Sequence, residues 1–136
     1  MKQDLKRKID ISVRPYVEGD FPQIHNLNIQ EKWNNLVEKR EDTQKAWENS
    51  NVKYVACFNE SIFGYLRGLT DGNITLFVSE LLIDENYLGL GIGTRLLKYV
   101  HQIYPKTRID LLATSSSQTY YESNKFRSFY GFRKTS

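Results

Sequence analysis

The chain has 136 residues, of which 40% are hydrophobic and 26% are charged, as is typical of one globular domain with its own core. The net charge of +3 is small and the basic residues are dispersed, which argues against a nucleic-acid-binding surface. The single cysteine, Cys57, excludes an intrachain disulfide, and no apolar run approaches the roughly 20 residues that cross a bilayer.

The basic run at residues 1–9 lacks the apolar segment that follows the charges of a signal peptide. We therefore expect a basic tail over 1–9, one domain over 10–136, a cytoplasmic location and no membrane partner. Cys57 lies in an alternating, strand-like run, which predicts a buried thiol.

The first half of the domain is predicted to contain one strand followed by two helices. Hydrophobic residues alternate over 10–17, as in a half-buried strand. Asp20 followed by Gln23 resembles a capping box, which predicts that a helix begins there. Residues 31–48 are polar with apolar side chains at helical spacing, and they predict a second helix.

Three strands are predicted to follow, over residues 51–58, 61–69 and 73–84. The sequence Thr-Asp-Gly at 70–72 is typical of a hairpin turn between the second and third of them. The alternation of the third strand breaks at the continuous apolar run 81–83. Such a break is compatible with a bulge or with burial on both faces.

The second half of the domain alternates helices and strands. Helical spacing predicts a helix from Ile92 that ends at the sequence Tyr-Pro-Lys-Thr, residues 104–107. A strand over 108–114, a short helix over 116–124 and a final strand over 125–134 are predicted after it. The order β-α-α-β-β-β-α-β-α-β indicates an α/β fold with a central mixed, partly parallel sheet flanked by helices.

Three glycines, Gly89, Gly91 and Gly93, separate the long predicted strand from the next helix. Glycine costs stability in such a place because its backbone has the most freedom to lose. The first N–H groups of a helix lack partners and carry partial positive charge, and glycines let a phosphate approach them. We therefore predict a phosphate or pyrophosphate site. A tight turn with close packing of strand and helix is the alternative.

The spacing of these glycines distinguishes between phosphate-binding patterns. A Walker A loop requires Gly-Lys followed by Ser or Thr, which does not occur after Gly89. A dinucleotide-binding turn requires a small residue where Thr94 stands and an acid at a strand end, whereas Asp110 lies inside a predicted strand. The remaining pattern, [RQ]-x-x-G-x-[GA], fits residues 88–93 except at Leu88.

Two runs of the sequence resemble motifs of one enzyme family. The run LLIDENYLGLGIGTRLL, residues 81–97, resembles the acetyl-CoA pyrophosphate loop of the GNAT superfamily of N-acetyltransferases, with Leu88 where Arg or Gln is usual. The run YYESNKF, residues 120–126, resembles the family's Phe-Tyr-x-x-x-Gly-Phe motif, with Lys125 in place of the glycine. The resemblance covers roughly residues 11–134 and implies the GNAT acyltransferase fold.

The resemblance implies transfer of an acetyl group from acetyl-CoA, the cosubstrate, to a primary amine of a small molecule, without a metal ion. It implies that the cofactor binds a set of residues from the long strand, the glycine loop and the last helix. These are Leu81, Leu82, Ile83, Leu88, Gly89, Leu90, Gly91, Ile92, Gly93, Thr94, Thr114, Ser117 and Tyr120.

Four residues are predicted to serve the reaction itself. Tyr121 matches the family tyrosine near the CoA sulfur, which implies a proton donor to the leaving thiolate. Glu80 is the predicted acceptor of the amine proton or an attractor of a cationic substrate, because an amine must lose a proton before it attacks. The alternative for Glu80 is a plain ion pair with Arg67. Arg67 and Trp33 are predicted to line the acceptor site.

Two other functions remain open from the sequence. One is a non-catalytic sensor of CoA or acetyl-CoA with the same fold, which the loss of a polar side chain at Leu88 favours. The other is an acetyltransferase that acts on protein N-termini or lysines. Many family members carry a further strand, and its absence would leave an edge for a second copy, so a homodimer is a hypothesis.

Overall fold

The computed structural model describes residues 10–114 and 117–135, so the expected tail at 1–9 lies outside the described residues. The described residues form five strands: β1 (Ser12–Pro15), β2 (Val52–Phe58), β3 (Ser61–Thr70), β4 (Thr75–Ile83) and β5 (Arg108–Leu111). They also form five α-helices: α1 (Phe21–Gln30), α2 (Asn34–Glu38), α3 (Arg40–Asn49), α4 (Ile92–Ile103) and α5 (Gln118–Ser123). Within these two ranges, no helix is both long and apolar enough to cross a membrane.

The strands form one mixed sheet in the order β1-β2-β3-β4-β5. The first four pair in antiparallel fashion, and β5 pairs parallel to β4 after a crossover through α4. A parallel pair requires such a long crossover because its strands run in the same direction. The predicted α/β architecture with a central mixed sheet is therefore confirmed, and the glycine loop lies between β4 and α4.

Helices cover both faces of the sheet, and each face has its own hydrophobic cluster. On one side, here called the α4 face, the buried side of α4 packs on the strands through Ile92, Leu96, Leu97 and Val100. On the other side, here called the α1 face, α1 and α3 pack against β2, β3 and β4 through Phe21, Ile24, Trp47, Tyr65 and Leu82. Cys57 is buried in this second cluster, as predicted.

The hairpin between β3 and β4 follows the prediction for residues 70–72. The Asp71 carboxylate accepts the N–H groups of Asn73 and Ile74, each at 2.8 Å. Gly72 adopts the left-handed conformation, with φ of +80°. An aspartate that binds the backbone of the residues after it is the usual way in which such a turn is fixed.

The helix predicted over 31–48 is two helices, α2 and α3, because the chain breaks at Lys39. At the break, the Thr43 hydroxyl donates to the carbonyl oxygens of Leu36, at 2.7 Å, and of Lys39, at 2.9 Å. A threonine side chain that satisfies helix-end carbonyls competes with continuation of the helix. The polar pattern of this region could not distinguish one helix from two.

Helix α1 ends in a Schellman motif with a lysine in the left-handed position. Lys32 has φ of +61°, its N–H donates to Ile29 C=O at 3.2 Å, and the Trp33 N–H donates to Asn28 C=O at 2.9 Å. Glycine usually occupies this position because other residues are strained there. The lysine therefore concealed the helix end, and residue 31 belongs to the end of α1 rather than to the start of the next helix.

The predicted capping box of Asp20 and Gln23 is wrong. The Asp20 carboxylate accepts two hydrogen bonds from the Arg14 guanidinium, at 2.8 and 2.9 Å, and one from the Val17 N–H at 2.9 Å. The Gln23 side chain accepts the Ile62 N–H of β3 at 2.9 Å. A charge-assisted pair with a guanidinium is stronger than a bond to a neutral N–H, so Asp20 binds back to β1 rather than to the helix.

The predicted final strand over 125–134 is also wrong, because these residues form no strand. Their aromatic side chains Phe129, Tyr130 and Phe132 are 76%, 90% and 97% exposed. An alternating pattern gives a strand only where one face packs on a core and a neighbour supplies the hydrogen-bond ladder. Of the aromatic side chains in this segment only Phe126 packs against the α4-face cluster, and none of the described strands pairs with the outer edge of β5.

Candidate active site

Strands β4 and β5 separate part-way along β4. Their pairing ends at Val78, opposite Leu111, and β4 continues to Ile83 with no described partner on that edge. On its other edge, the register with β3 shifts at Ser79, which has no residue opposite it. A bulge bends its strand, so the bulge at Ser79 accounts for the divergence from β5. The irregularity predicted near 81–83 therefore lies two residues earlier.

The free edge of β4 carries backbone hydrogen-bonding groups. The Asp84 N–H donates to Phe63 C=O of β3 at 2.8 Å. Because successive residues of a strand direct their N–H groups to opposite edges, the N–H groups of Leu81 and Ile83 face away from β3. These two donors thus point to the side where β5 has diverged.

The glycine loop uses its glycines in two ways. Gly89 and Gly91 have φ of +82° and +76°, and a side chain on either would meet no atom within 4 Å. They are required for the left-handed backbone, and they leave the space beside it empty. Gly91 is also the N-cap of α4, so the unpaired N–H groups of the first turn lie at this space.

The third glycine serves close packing. A Cβ atom on Gly93 would lie 2.5 Å from the Tyr120 hydroxyl, so glycine is needed for α5 to approach α4. The Tyr120 hydroxyl lies 3.2 Å from the Thr94 hydroxyl, which donates to Asn124 Oδ1 at 3.0 Å. Both interpretations of the glycines therefore apply: two of them open a space at the helix N-terminus, and one allows tight packing.

A cavity of about 640 Å³ joins the glycine loop to the free edge of β4. Its lining comes from both faces of the sheet, because Leu81 and Ile83 pack with the α4 face whereas Leu82 and Trp33 pack with the α1 face. The cavity therefore contacts residues of both faces, beside the unpaired part of β4. The predicted site residues that line it are Trp33, Leu81, Leu82, Ile83, Leu88, Gly89, Gly91, Ile92, Gly93, Ser117, Tyr120 and Tyr121.

The other predicted site residues do not line this cavity: Arg67, Glu80, Leu90, Thr94 and Thr114. Leu90 packs against the α4-face cluster, and the Thr114 N–H donates to Ser117 Oγ at 3.1 Å. Across the part of the chain that the structure describes, no three His, Cys, Asp or Glu residues are grouped to hold a metal ion.

Tyr121 lies at the junction of cavity and core. Its ring packs edge-to-face against Tyr120 and Phe126, with centroid distances of 5.2 and 5.5 Å. Burial, with a smaller contribution from Tyr120, raises the pKa of Tyr121 to about 12. Its phenol therefore stays protonated at neutral pH and can donate a proton or a hydrogen bond.

Helix α5 ends in the same way as α1. Lys125 has φ of +69°, its N–H donates to Glu122 C=O at 3.1 Å, and the Phe126 N–H donates to Tyr121 C=O at 3.0 Å. This is again a Schellman motif with lysine in the position that favours glycine. It fixes Phe126 against the ring of Tyr121.

Glu80 and Arg67 form a two-pronged ion pair across β3 and β4. The Arg67 Nε donates to one carboxylate oxygen at 2.7 Å and an Nη donates to the other at 2.6 Å. The remaining Nη donates to Ser50 Oγ at 3.0 Å. The two side chains are 13% and 12% exposed, and Glu80 lies on the α1 face because it is two residues from Leu82. The structure thus contains the ion pair that was the alternative for Glu80.

Sequence reasoning missed one charged residue of the cavity, Glu31. It is the C-cap of α1, where the carboxylate accepts the Glu85 N–H at 3.1 Å. No local pattern indicated this role, because residue 31 was predicted to begin a new helix. The left-handed Lys32 ends α1, and Glu31 is the C-cap residue just before it.

A protein-family model described as the acetyltransferase (GNAT) family matches residues 21–126. The chain belongs to this family. The match spans the free edge of β4, the glycine loop and α5, and it confirms the resemblance inferred from the sequence motifs. The comparison with curated protein sequences gives no match.

Solved structures of acetyltransferases have a similar fold. A GNAT family acetyltransferase from Streptococcus pneumoniae TIGR4 has a TM-score of 0.76 at 22% identity, over 93% of this chain and 96% of that one. A PaiA N-acetyltransferase from Thermoplasma acidophilum in complex with coenzyme A has a TM-score of 0.69 at 15% identity, over 85% and 89%. An aminoglycoside acetyltransferase from an uncultured soil metagenomic sample, in complex with sisomicin, has a TM-score of 0.66 at 18% identity, over 92% and 95%.

Proposed function

We propose that this GNAT protein transfers an acetyl group from acetyl-CoA to a primary amine of a small molecule. The observation that carries the proposal is the cavity that joins an empty space at the N-terminus of α4 to unpaired backbone donors of β4. The pyrophosphate of acetyl-CoA needs N–H donors such as those at the N-terminus of α4. Its thioester carbonyl needs donors such as the unpaired N–H groups of β4. The complex of a related N-acetyltransferase with coenzyme A supports this assignment.

The proposed cofactor position follows the lining of the cavity. The pyrophosphate would accept N–H groups of the first turn of α4, beside Gly89 and Gly91. The pantetheine arm would lie along the free edge of β4, and the N–H groups of Leu81 and Ile83 are the donors available to its amides and to the acetyl carbonyl. Thr94 and Asn124 support this site by fixing Tyr120 on the opposite wall.

The proposed chemistry is direct transfer. The uncharged amine nitrogen attacks the thioester carbonyl carbon, a C–N bond forms, the C–S bond breaks, and the thiolate leaves. Tyr121, with its pKa near 12, would hydrogen-bond to the thiolate and supply a proton to it. Glu80 would accept the amine proton after releasing Arg67, or it would attract a cationic acceptor while keeping that pair.

We also propose that the acceptor is a small molecule. The sisomicin complex of a related acetyltransferase is consistent with this choice.

We further propose one domain over 10–136, a cytoplasmic location and no nucleic-acid partner. The exposed aromatics at 129–132 suit a homodimer, which light scattering that gives a monomeric mass at micromolar concentration would exclude.

The test is calorimetric titration of acetyl-CoA into the wild type, Gly91→Asp and Gly72→Asp. Gly91 and Gly72 share a left-handed backbone, and a side chain added at either would meet no atom within 4 Å, so both substitutions strain the chain alike. Only the first adds a negative charge and a side chain at the proposed pyrophosphate site. We expect micromolar binding by the wild type and Gly72→Asp, and loss of binding by Gly91→Asp.

An amine panel with acetyl-CoA, read by mass spectrometry, then tests turnover. Acetylated product from any small primary amine supports the transferase. Binding of acetyl-CoA with no product from small amines or from peptides with free N-termini and lysines would favour the second candidate, a non-catalytic sensor. The observation that favours that candidate is Leu88, whose exposed side chain brings no polar group to the loop. No binding by the folded wild type would overturn both.

A further inference from the structure

Among the described lining residues of the cavity, Glu31 carries the one ionised side chain. The others are apolar, aromatic, glycine or serine. A carboxylate beside a mostly apolar wall loses part of its hydration and gains much from a positive partner. This residue is therefore the one acidic side chain that a ligand would meet among the described lining residues.

Glu31 is held in place before any ligand arrives. Its Oε2 accepts the Glu85 N–H at 3.1 Å and the Gln30 side-chain amide at 3.0 Å. The same Gln30 amide donates to Asp84 Oδ1 at 2.8 Å, which ties the end of α1 to the end of β4. A group fixed by such contacts binds a ligand without first losing side-chain freedom.

The charge of Glu31 has no counter-ion among the residues that the structure describes. No described Lys, Arg or His forms an ion pair with it, and its Oε1 accepts no hydrogen bond from them. The C-terminal end of α1 adds partial negative charge at the same place. Trp33, two residues on, contributes an aromatic ring to the same wall, and such rings attract cations.

We propose that Glu31, with Trp33, binds a cationic amino group of the acceptor, and that the acceptor therefore carries at least two amino groups. This inference rests on the proposed function. An amine that attacks the thioester must be uncharged, whereas a carboxylate favours the charged form of the amine that it binds. One amine cannot satisfy both demands well, but a diamine can place its ammonium at Glu31 and its free amine at the thioester. Acceptors with a carboxylate would be repelled.

The test compares putrescine, a linear diamine, with butylamine, which has the same chain and one amine. Each is titrated into the wild type, Glu31→Gln and Glu85→Gln, with the protein saturated with CoA and also alone. Glutamine at 31 can still accept the Glu85 N–H, so the fold at α1 is retained. Glu85 is exposed, lies beside Glu31 and does not line the cavity, so its variant removes the same charge from the same region.

Both amines are ammonium ions at neutral pH, so each can bind Glu31. We expect Glu31→Gln to weaken the binding of either amine at least about tenfold, as loss of a charge-assisted hydrogen bond predicts, and Glu85→Gln to bind both as the wild type does. In transfer, the wild type should favour putrescine, because only a diamine keeps a second amine for the thioester. Binding that Glu31→Gln leaves unchanged, or that both variants weaken alike, overturns the inference.

Transfer of acetyl groups to the same amines is measured separately. If the wild type acetylates both amines and does not prefer the diamine, the role of Glu31 is overturned and the proposed function stands. A wild type that binds putrescine through Glu31 but acetylates nothing overturns the proposed function alone.

Discussion

The two walls of the cavity are built in different ways. The wall at the glycine loop consists largely of backbone, with Gly89 and Gly91 in left-handed conformations ahead of α4. The wall on the α1 face consists of side chains, among them Trp33 and Glu31, and the Glu80–Arg67 pair lies on the same face. Backbone N–H groups at a helix N-terminus can bind a phosphate whichever side chains surround them. The choice between different ligands depends on the side chains that line a site. Under the proposed function, cofactor binding is thus encoded locally and acceptor choice is encoded in tertiary packing.

The largest effect is expected at the Glu80–Arg67 pair, which lies on the α1 face but does not line the cavity. Arg67→Met leaves Glu80 buried and unpaired, which should lower the free energy of unfolding by about 3–5 kcal/mol in urea denaturation. The double variant Arg67→Met/Glu80→Leu should recover much of this loss. Arg108→Met breaks an exposed pair with Asp110, at 3.4 Å, and should cost less than about 1 kcal/mol. Equal losses of stability for Arg67→Met and Arg108→Met would show that the fold does not depend on the buried pair.

A smaller effect is expected where the two walls meet, at Tyr121. Tyr121→Phe removes the proposed proton donor and should lower kcat about 100-fold with little change in the Kd of acetyl-CoA. Tyr120→Phe is the control, because it removes the neighbouring hydroxyl. A similar loss of kcat in both variants would assign Tyr121 a packing role only.

The pH dependence of kcat gives a second test of the same residue. A proton donor is active at a pH below its pKa and inactive at a pH above it. Because the pKa of Tyr121 is about 12, its proton is retained up to about pH 11, and kcat should show no alkaline fall from this group between pH 7 and 10. A fall in that range that disappears in Tyr121→Phe would contradict the raised pKa.

The smallest effect is expected from adding a side chain to the backbone wall. Leu88→Arg places a guanidinium where the family usually has Arg or Gln, and it should tighten acetyl-CoA binding about three- to tenfold at low salt. Leu88 is 57% exposed, so the change should not disturb the core. Leu69→Arg, at an exposed position on β3, should leave binding unchanged. Equal tightening in both variants would point to net charge rather than to a contact in the loop.

The same contrast explains what the sequence could and could not predict. The order of the five strands, the glycine turn and the two helices after it depend on local pattern, and they were predicted. The split of the helix over 31–48 and the end of α1 at Lys32 depend on a threonine and a lysine in places where pattern rules expect other residues. Glu31 was missed for that reason.

Two other differences arise from partners that a linear pattern does not contain. The alternation over 125–134 predicted a strand, but no described strand pairs with these residues, and of their aromatic side chains only Phe126 packs on the core. The bulge lies at Ser79 rather than near 81–83, because its position is set by the pairing of β4 with β3. The roles of Glu80 and Tyr121 stay predictions, although the structure gives the contacts from which each can be tested.

The divergence of β4 from β5 at Val78 has a consequence for the energetics of the whole protein. The sheet contains a stretch of edge whose amide protons are open to solvent exchange, in the middle of a domain that is otherwise well paired. A ligand that bound this edge would act as a substitute strand and would complete the sheet. At a ligand concentration of 100 times Kd, it would add about 2.7 kcal/mol to the stability of the fold. Resistance to heat and proteolysis would then rise and fall with the concentration of the cofactor in the cell, and so would the lifetime of the folded protein.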